Sequence, residues 1–185
     1  MNNDIVSFDD EMLICVDEND TVTGYMSKDE CHDGEAILHR AFSIFIFNDH
    51  NELLMQKRSD DKRLWPLYWS NSCCSHPRKG ESMDLATERR LQEELGLSSD
   101  LHYLYKFQYH ASFGDAGSER EVCSVYIGRQ TDDLNINPNE IAEWKYIAPD
   151  DLEMDMQENP EKYTPWFHME WKRIREEYWD QVLSL

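Results

Sequence analysis

The chain has 185 residues, 40% of them hydrophobic, which is enough for one well-buried core and short for two. Against 38 Asp and Glu stand only 18 Lys and Arg, a formal charge of −20 that repels nucleic acid and anionic lipid. The five scattered cysteines fit neither a disulfide framework nor a zinc ribbon, and no apolar run reaches the roughly 18 residues of a membrane span. The expectation is one domain over residues 1–185 in the reducing cytoplasm, monomeric or weakly dimeric, with neither nucleic acid nor membrane as partner.

In chain order, Met12 to Asp17 and Thr21 to Met26 flank the polar turn Glu18-Asn19-Asp20 and read as a hairpin. His39 to Phe47 is apolar on both faces, the pattern of a central strand covered on each side, and it turns at Asn48 to Glu52 into a strand over Leu53 to Lys57. The octapeptide Ser70-Asn71-Ser72-Cys73-Cys74-Ser75-His76-Pro77 gathers thiols, hydroxyls and an imidazole, and reads as a loop that carries reactive groups. A helix over Ser82 to Leu95 is closed by Gly96. Leu101 to Phe113 alternates, with Leu101, Tyr103, Tyr105, Phe107 and Tyr109 expected on one face; Glu119 to Ile127 and Trp144 to Ile147 complete the strands. A weaker helix covers Asp150 to Gln157, and a C-terminal one begins at Thr164 with Pro165 in its first turn. Strands interleaved with helices on both faces predict a layered α/β/α domain around a mixed sheet.

Four segments carry candidate chemistry. Glu119 and Glu121 are two apart on a strand whose face continues as Cys123, Val125 and Ile127, so both carboxylates aim inward and call for a metal, cationic partners or raised pKa values. His32, His39 and His76 are nitrogen donors able to complete a metal site. Lys57, Arg58, Lys62 and Arg63 form a local basic patch that can hold a small anion despite the acidic chain. On the helix Arg90 and Glu94 share a face, which at its plainest is a surface ion pair worth about 0.3–0.5 kcal/mol.

The string Glu81, then Arg89-Arg90-Leu91-Gln92-Glu93-Glu94-Leu95-Gly96-Leu97, resembles the Nudix box, in which a loop and helix present glutamates to a divalent ion holding a diphosphate. It departs from the box at Ser75, where the family has Gly, and at Arg90, where the hydrolases have a metal-binding Glu. Those departures, with KDECHDGEAILHRAFS, KRSDDKRLWPLYWSNSCCSHP, RRLQEELG, EREVC and TPW, are similar to the type I isopentenyl diphosphate isomerases over about Leu13 to Trp179. The resemblance implies Cys74, two residues before His76, and Glu121 as the acid/base pair. It further implies one divalent ion (Zn2+, Mn2+ or Mg2+) on His32, His39, His76, Glu119 and Glu121, and a substrate-bound Mg2+ on Glu94 and Cys74. Lys28, Arg58, Lys62 and Arg90 would contact the diphosphate of a small-molecule substrate, and Tyr109 and Trp166 would line its hydrocarbon end. Two other readings stand beside it: a Nudix hydrolase of a nucleoside or isoprenoid diphosphate, and a non-catalytic metal-binding module that unfolds without its ion.

Overall fold

The computed structural model describes residues 3–185. Met12–Val16 (β1) and Val22–Ser27 (β2) make the expected antiparallel hairpin, and the Asp17 side chain closes its turn by accepting from the amides of Asn19 and Thr21. A helix that the sequence reading lacks follows at once, Lys28–His32 (α1). Its signal is the run Ser27-Lys28-Asp29-Glu30: Ser27 accepts from the Glu30 amide and the Glu30 carboxylate accepts in return from the Ser27 amide, a capping box.

His39–Phe47 (β3) is buried on both faces, with Phe45 and Phe47 in one core and Phe42, Ile44 and Ile46 in the other. It turns into Leu53–Arg58 (β4), but the two strands pair only at Phe47 and Leu53 and then diverge. Into the gap run Trp69–Ser70 (β5), paired with β4, and Cys73–Ser75 (β6), paired with β3. Here the expected loop is corrected. Ser70, Asn71, Ser72 and Cys73 are fully buried, and their polar side chains replace the missing ladder. The Ser72 hydroxyl accepts from the Ile46 amide and donates to the Leu54 carbonyl, while the Asn71 amide donates to the carbonyls of Ile44 and Cys73. These are buried backbone groups that need partners, so the polar octapeptide serves packing as well as chemistry.

Met83–Leu95 (α2) is capped by Ser82, whose hydroxyl accepts from the Leu85 amide, and ends at Gly96 with φ of 67°. A side chain there would also strike Asn135, since an added Cβ would lie 2.5 Å from its Cβ. His102–Ser112 (β7) pairs with Ser118–Arg129 (β8), and the register slips between Tyr103 and Tyr105. The bulge overturns the single face expected for this strand. Tyr103 packs against Tyr126 on the α2 side, whereas Tyr105 and Tyr109 enter the opposite core, because one extra residue reverses the parity of every later side chain. Ile141–Ile147 (β9) pairs with β4 and starts earlier than expected, since the exposed Ala142 and Glu143 hide its beginning from a hydrophobic pattern.

Pro149–Glu158 (α3) and Pro165–Arg173 (α4) follow, and a π-helical turn over Ile174–Tyr178 leads into Trp179–Leu183 (α5). Leu152, Trp166, Phe167, Trp171 and Val182 from these helices cover one face of the sheet, and Ala86, Leu91 and Leu95 of α2 cover the other. The result is the expected helix–sheet–helix layering. At its centre β3 runs parallel to β8, with His39 opposite Glu121.

Candidate active site

Four elements bring five metal-ligand side chains together. α1 ends on His32, β3 begins on His39, the chain leaving β6 supplies His76, and the alternation of β8 aims Glu119 and Glu121 the same way. One donor atom from each lies within 4.8 Å of all the others. His32 Nε2 is 2.8 Å from Glu119 Oε2, and Glu121 Oε1 is 2.9 Å from His76 Nε2 and 3.7 Å from His39 Nε2.

The protonation pattern suits a cation. Nδ1 of His32 is 2.6 Å from the Lys28 carbonyl and Nδ1 of His39 is 2.6 Å from the Ile37 carbonyl, so each Nδ1 carries a proton and each Nε2 faces the cluster. Buried His39 Nε2 makes no hydrogen bond, the Glu121 carboxylate facing it at 3.7 Å. Two neighbouring buried carboxylates need positive charge beside them, which a divalent ion or a protonated histidine supplies. The cluster is therefore one that can hold a metal. Burial alone would depress His32, but the charges of Glu119 and Glu121 and the bond to Glu119 outweigh it and raise its pKa to about 9. Burial and the neighbouring His39 and His32 hold His76 well below the ordinary histidine value.

A cavity of about 410 Å³ opens beside this cluster. Of the residues the resemblance assigns to the site, all except His39 and Glu94 line it, and of the basic patch Lys57 lies outside, paired with Glu143. Cys74 and Glu121 stand on β6 and β8, which flank β3 on opposite edges. Burial pushes the Cys74 thiol up to about 12 against the pull of Arg58, whose Nη1 is 3.9 Å from the sulfur. For Glu121 burial raises the carboxyl, yet the neighbouring His39, the hydrogen bond from Tyr109 and the charge of His32 leave it below the usual Glu value. Tyr109 lies opposite Glu121 in the β7–β8 register, and its hydroxyl donates to Oε2 at 2.7 Å. Trp166, at the start of α4, donates through Nε1 to Ser70 Oγ at 3.1 Å and meets the Trp65 ring edge-on at 5.2 Å. The Arg58 guanidinium sits 5.4 Å over the Trp166 ring while bonding the Leu64 and Trp65 carbonyls.

At the other end are Lys28, Lys62 and Arg90. The Arg90–Glu94 pair is buried rather than a surface pair, each side chain being 3% exposed. The guanidinium makes five hydrogen bonds, one per N–H: to Glu94 twice, and to Glu93, Glu140 and the Val6 carbonyl. An anion that reaches Arg90 has to displace one of these acceptors. Glu94 lies behind it, also bonded by Gln56. Glu140, absent from the sequence reading, is a buried lining residue that accepts from both Lys62 and Arg90. Nothing in the sequence distinguishes it from the other acidic residues.

Residues 37–167 match the family model of the NUDIX domain, and this sets the class. The fold is shared with solved structures at low identity: DR0079 from Deinococcus radiodurans (TM-score 0.66, 24% identity, 80% of this chain and 90% of that one) and the MutT protein from Methanosarcina mazei (0.61, 17%, 76% and 94%). Among curated proteins, the chain is 41% identical to isopentenyl-diphosphate Delta-isomerase 1 of Photorhabdus laumondii, over 93% of this chain and 99% of that one. It is 34% identical to the isopentenyl-diphosphate delta-isomerase of Gibberella zeae, over 95% and 78%. The chain belongs to the isopentenyl-diphosphate delta-isomerases of the Nudix superfamily.

Proposed function

We propose that the protein interconverts isopentenyl and dimethylallyl diphosphate in isoprenoid biosynthesis, moving the double bond by protonation and deprotonation through a tertiary carbocation. The observation that carries this reading is a single cavity lined by the Cys74 thiol and the Glu121 carboxylate, on strands at opposite edges of β3. The reaction needs two such groups: one gives a proton to the terminal alkene carbon, and the other takes a proton from the allylic carbon. Because the interconversion is reversible, each is the acid in one direction and the base in the other.

In this reading Tyr109 orients Glu121 through its hydroxyl, and the Trp166 ring stabilises the desolvated cation by about 2 kcal/mol. Leu64 and Trp65, both buried beside it, keep water from the cation. Lys28, Arg58, Lys62 and Arg90 hold the diphosphate as a handle, and Glu94 and Cys74 engage the Mg2+ that accompanies it. A second divalent ion, Zn2+, Mn2+ or Mg2+, on His32, His39, His76, Glu119 and Glu121 supplies a fixed positive charge that tunes the acidity of Glu121. Hydrolysis is disfavoured by Arg90 itself, a cation at the position where the hydrolases carry a metal-binding Glu.

Proton NMR of isopentenyl diphosphate with the protein and magnesium tests the assignment. Dimethylallyl diphosphate without phosphate release is the expected result. Release of phosphate would select a hydrolase, and no turnover would select a metal-binding module.

A further inference from the structure

Among the cavity's carboxylates, Glu140 belongs neither to the cluster of metal ligands nor to the hydrocarbon end. Its side chain is 3% exposed and its Oε2 receives Lys62 Nζ and, at 3.0 Å, Arg90 Nη2. It also grips Lys62 through the backbone: the Glu140 carbonyl accepts from the Ser59 amide at 3.0 Å, and the Ser59 carbonyl accepts from the Lys62 amide at 3.3 Å. The turn that carries Glu140 is tied to the end of α2. The Asn135 and Asn137 amides donate to the Leu95 and Glu94 carbonyls, the Asn137 side chain donates to the Glu93 carbonyl, and the Glu140 amide donates to Asn137. Carbonyls at a helix end have no partner within the helix, so these bonds lock the turn to the helix that bears Arg90.

A bare carboxylate in an anion site weakens anion binding by Coulomb repulsion. Its presence needs a reason. We infer that Glu140 is a positioning residue: it holds the Lys62 and Arg90 cations at one point of the cavity wall, and the substrate's anionic group binds to cations that Glu140 has already placed. This rests on the reading of that end as the diphosphate subsite. In this role Glu140 acts on the substrate through Lys62 and Arg90, the two cations it holds. Ordering long side chains in advance removes the rotamer entropy that binding would otherwise cost.

The two roles of a carboxylate predict opposite signs. If it merely repels, Glu140→Gln tightens anion binding; if it positions, the same change weakens it. We expect Glu140→Gln to raise KM for the isoprenoid substrate and Kd for magnesium pyrophosphate by about tenfold each, with kcat within about twofold. Lys62→Met, costly in the parent, should cost little more in the Glu140→Gln background, because the two act as a unit. Glu140→Asp, which keeps the charge but draws it back by a methylene, should shift KM in the same direction if the Gln variant fails to fold. Equal or tighter pyrophosphate binding, or additive losses in the double variant, would overturn the inference. If Lys62→Met leaves pyrophosphate binding and KM unchanged in the parent, the subsite reading itself falls and the inference with it.

Discussion

Cys73 and Cys74 are neighbours in sequence with opposite surroundings: Cys73 packs with Ile44, Ala86 and Leu91 on the α2 side, and Cys74 lines the cavity. Cys74→Ala should abolish isomerisation with the melting temperature almost unchanged. Cys73→Ala should retain turnover and cost roughly 1 kcal/mol of stability through the small void it leaves. Loss of turnover at Cys73 alone would reverse the choice of thiol. Trp166 is tested by two replacements. Phe keeps a weaker aromatic face but loses the bond to Ser70, and Leu keeps only apolar bulk, so kcat should fall in the order Trp, Phe, Leu while KM moves little. Equal kcat for Phe and Leu would reduce Trp166 to packing.

At the scale of elements, α4 carries Glu170 into the core, where its Oε2 has no partner. Burial, with repulsion from Glu121, pushes its pKa from 4.5 to about 8 against the bonds from Ser43 and Cys123. Above pH 4.5 the unfolded chain gains by ionising this group, while the folded one keeps its proton until about pH 8. Its contribution to stability therefore falls as pH rises between those values. Glu170→Met should raise the melting temperature, and by more at pH 8 than at pH 5; an equal gain at both would refute the raised pKa. α1 is a five-residue helix whose start is closed by a capping box. Ser27→Ala should cost about 1 kcal/mol there and lower metal affinity through His32, which titration of the metal-free protein with zinc would read.

Elements were legible where one physical signal dominated. The two-faced apolarity of β3, the Gly96 cap of α2 and Pro165 at the start of α4 each announce themselves locally. The β7 bulge does not, because a slip in pairing leaves the alternation of the strand's own sequence intact. β5 and β6 escaped because strand propensity expects apolar residues, whereas here serine and asparagine side chains serve the backbone of β3 and β4. Of the candidate site, the inward pair Glu119 and Glu121 follows from period two alone. Which histidines join them is a tertiary fact: His32, His39 and His76 stand out as candidates, and only the family resemblance places them in one site with the carboxylates. Glu140 had no signal of either kind.

At the scale of the whole molecule, the two large cores contain none of the five metal-ligand side chains. Chelation should therefore remove the ion and the activity and lower the melting temperature while leaving a folded protein at 25 °C. An apoprotein without a cooperative transition would instead identify the ion as the main source of folding free energy. Glu94→Gln should weaken magnesium-dependent substrate binding and leave the tightly held ion in place, measured by metal content after dialysis.

The parallel pairing of β3 with β8 also sets an order of events in the growing chain. The β1–β2 and β7–β8 hairpins close over short stretches, but the Ser43–Cys123 contact across the parallel pair joins residues 80 positions apart. Such long-range closure comes late, since the entropy of the loop has to be overcome first. His32, His39 and His76 leave the ribosome well before Glu119 and Glu121, so a metal met early finds the histidines without the two carboxylates of the cluster and without a fold to hold them together. In the function proposed above, the mixed nitrogen and oxygen cage would be complete only once β8 docks, so that selection among ions would fall to a folded protein rather than to a nascent peptide.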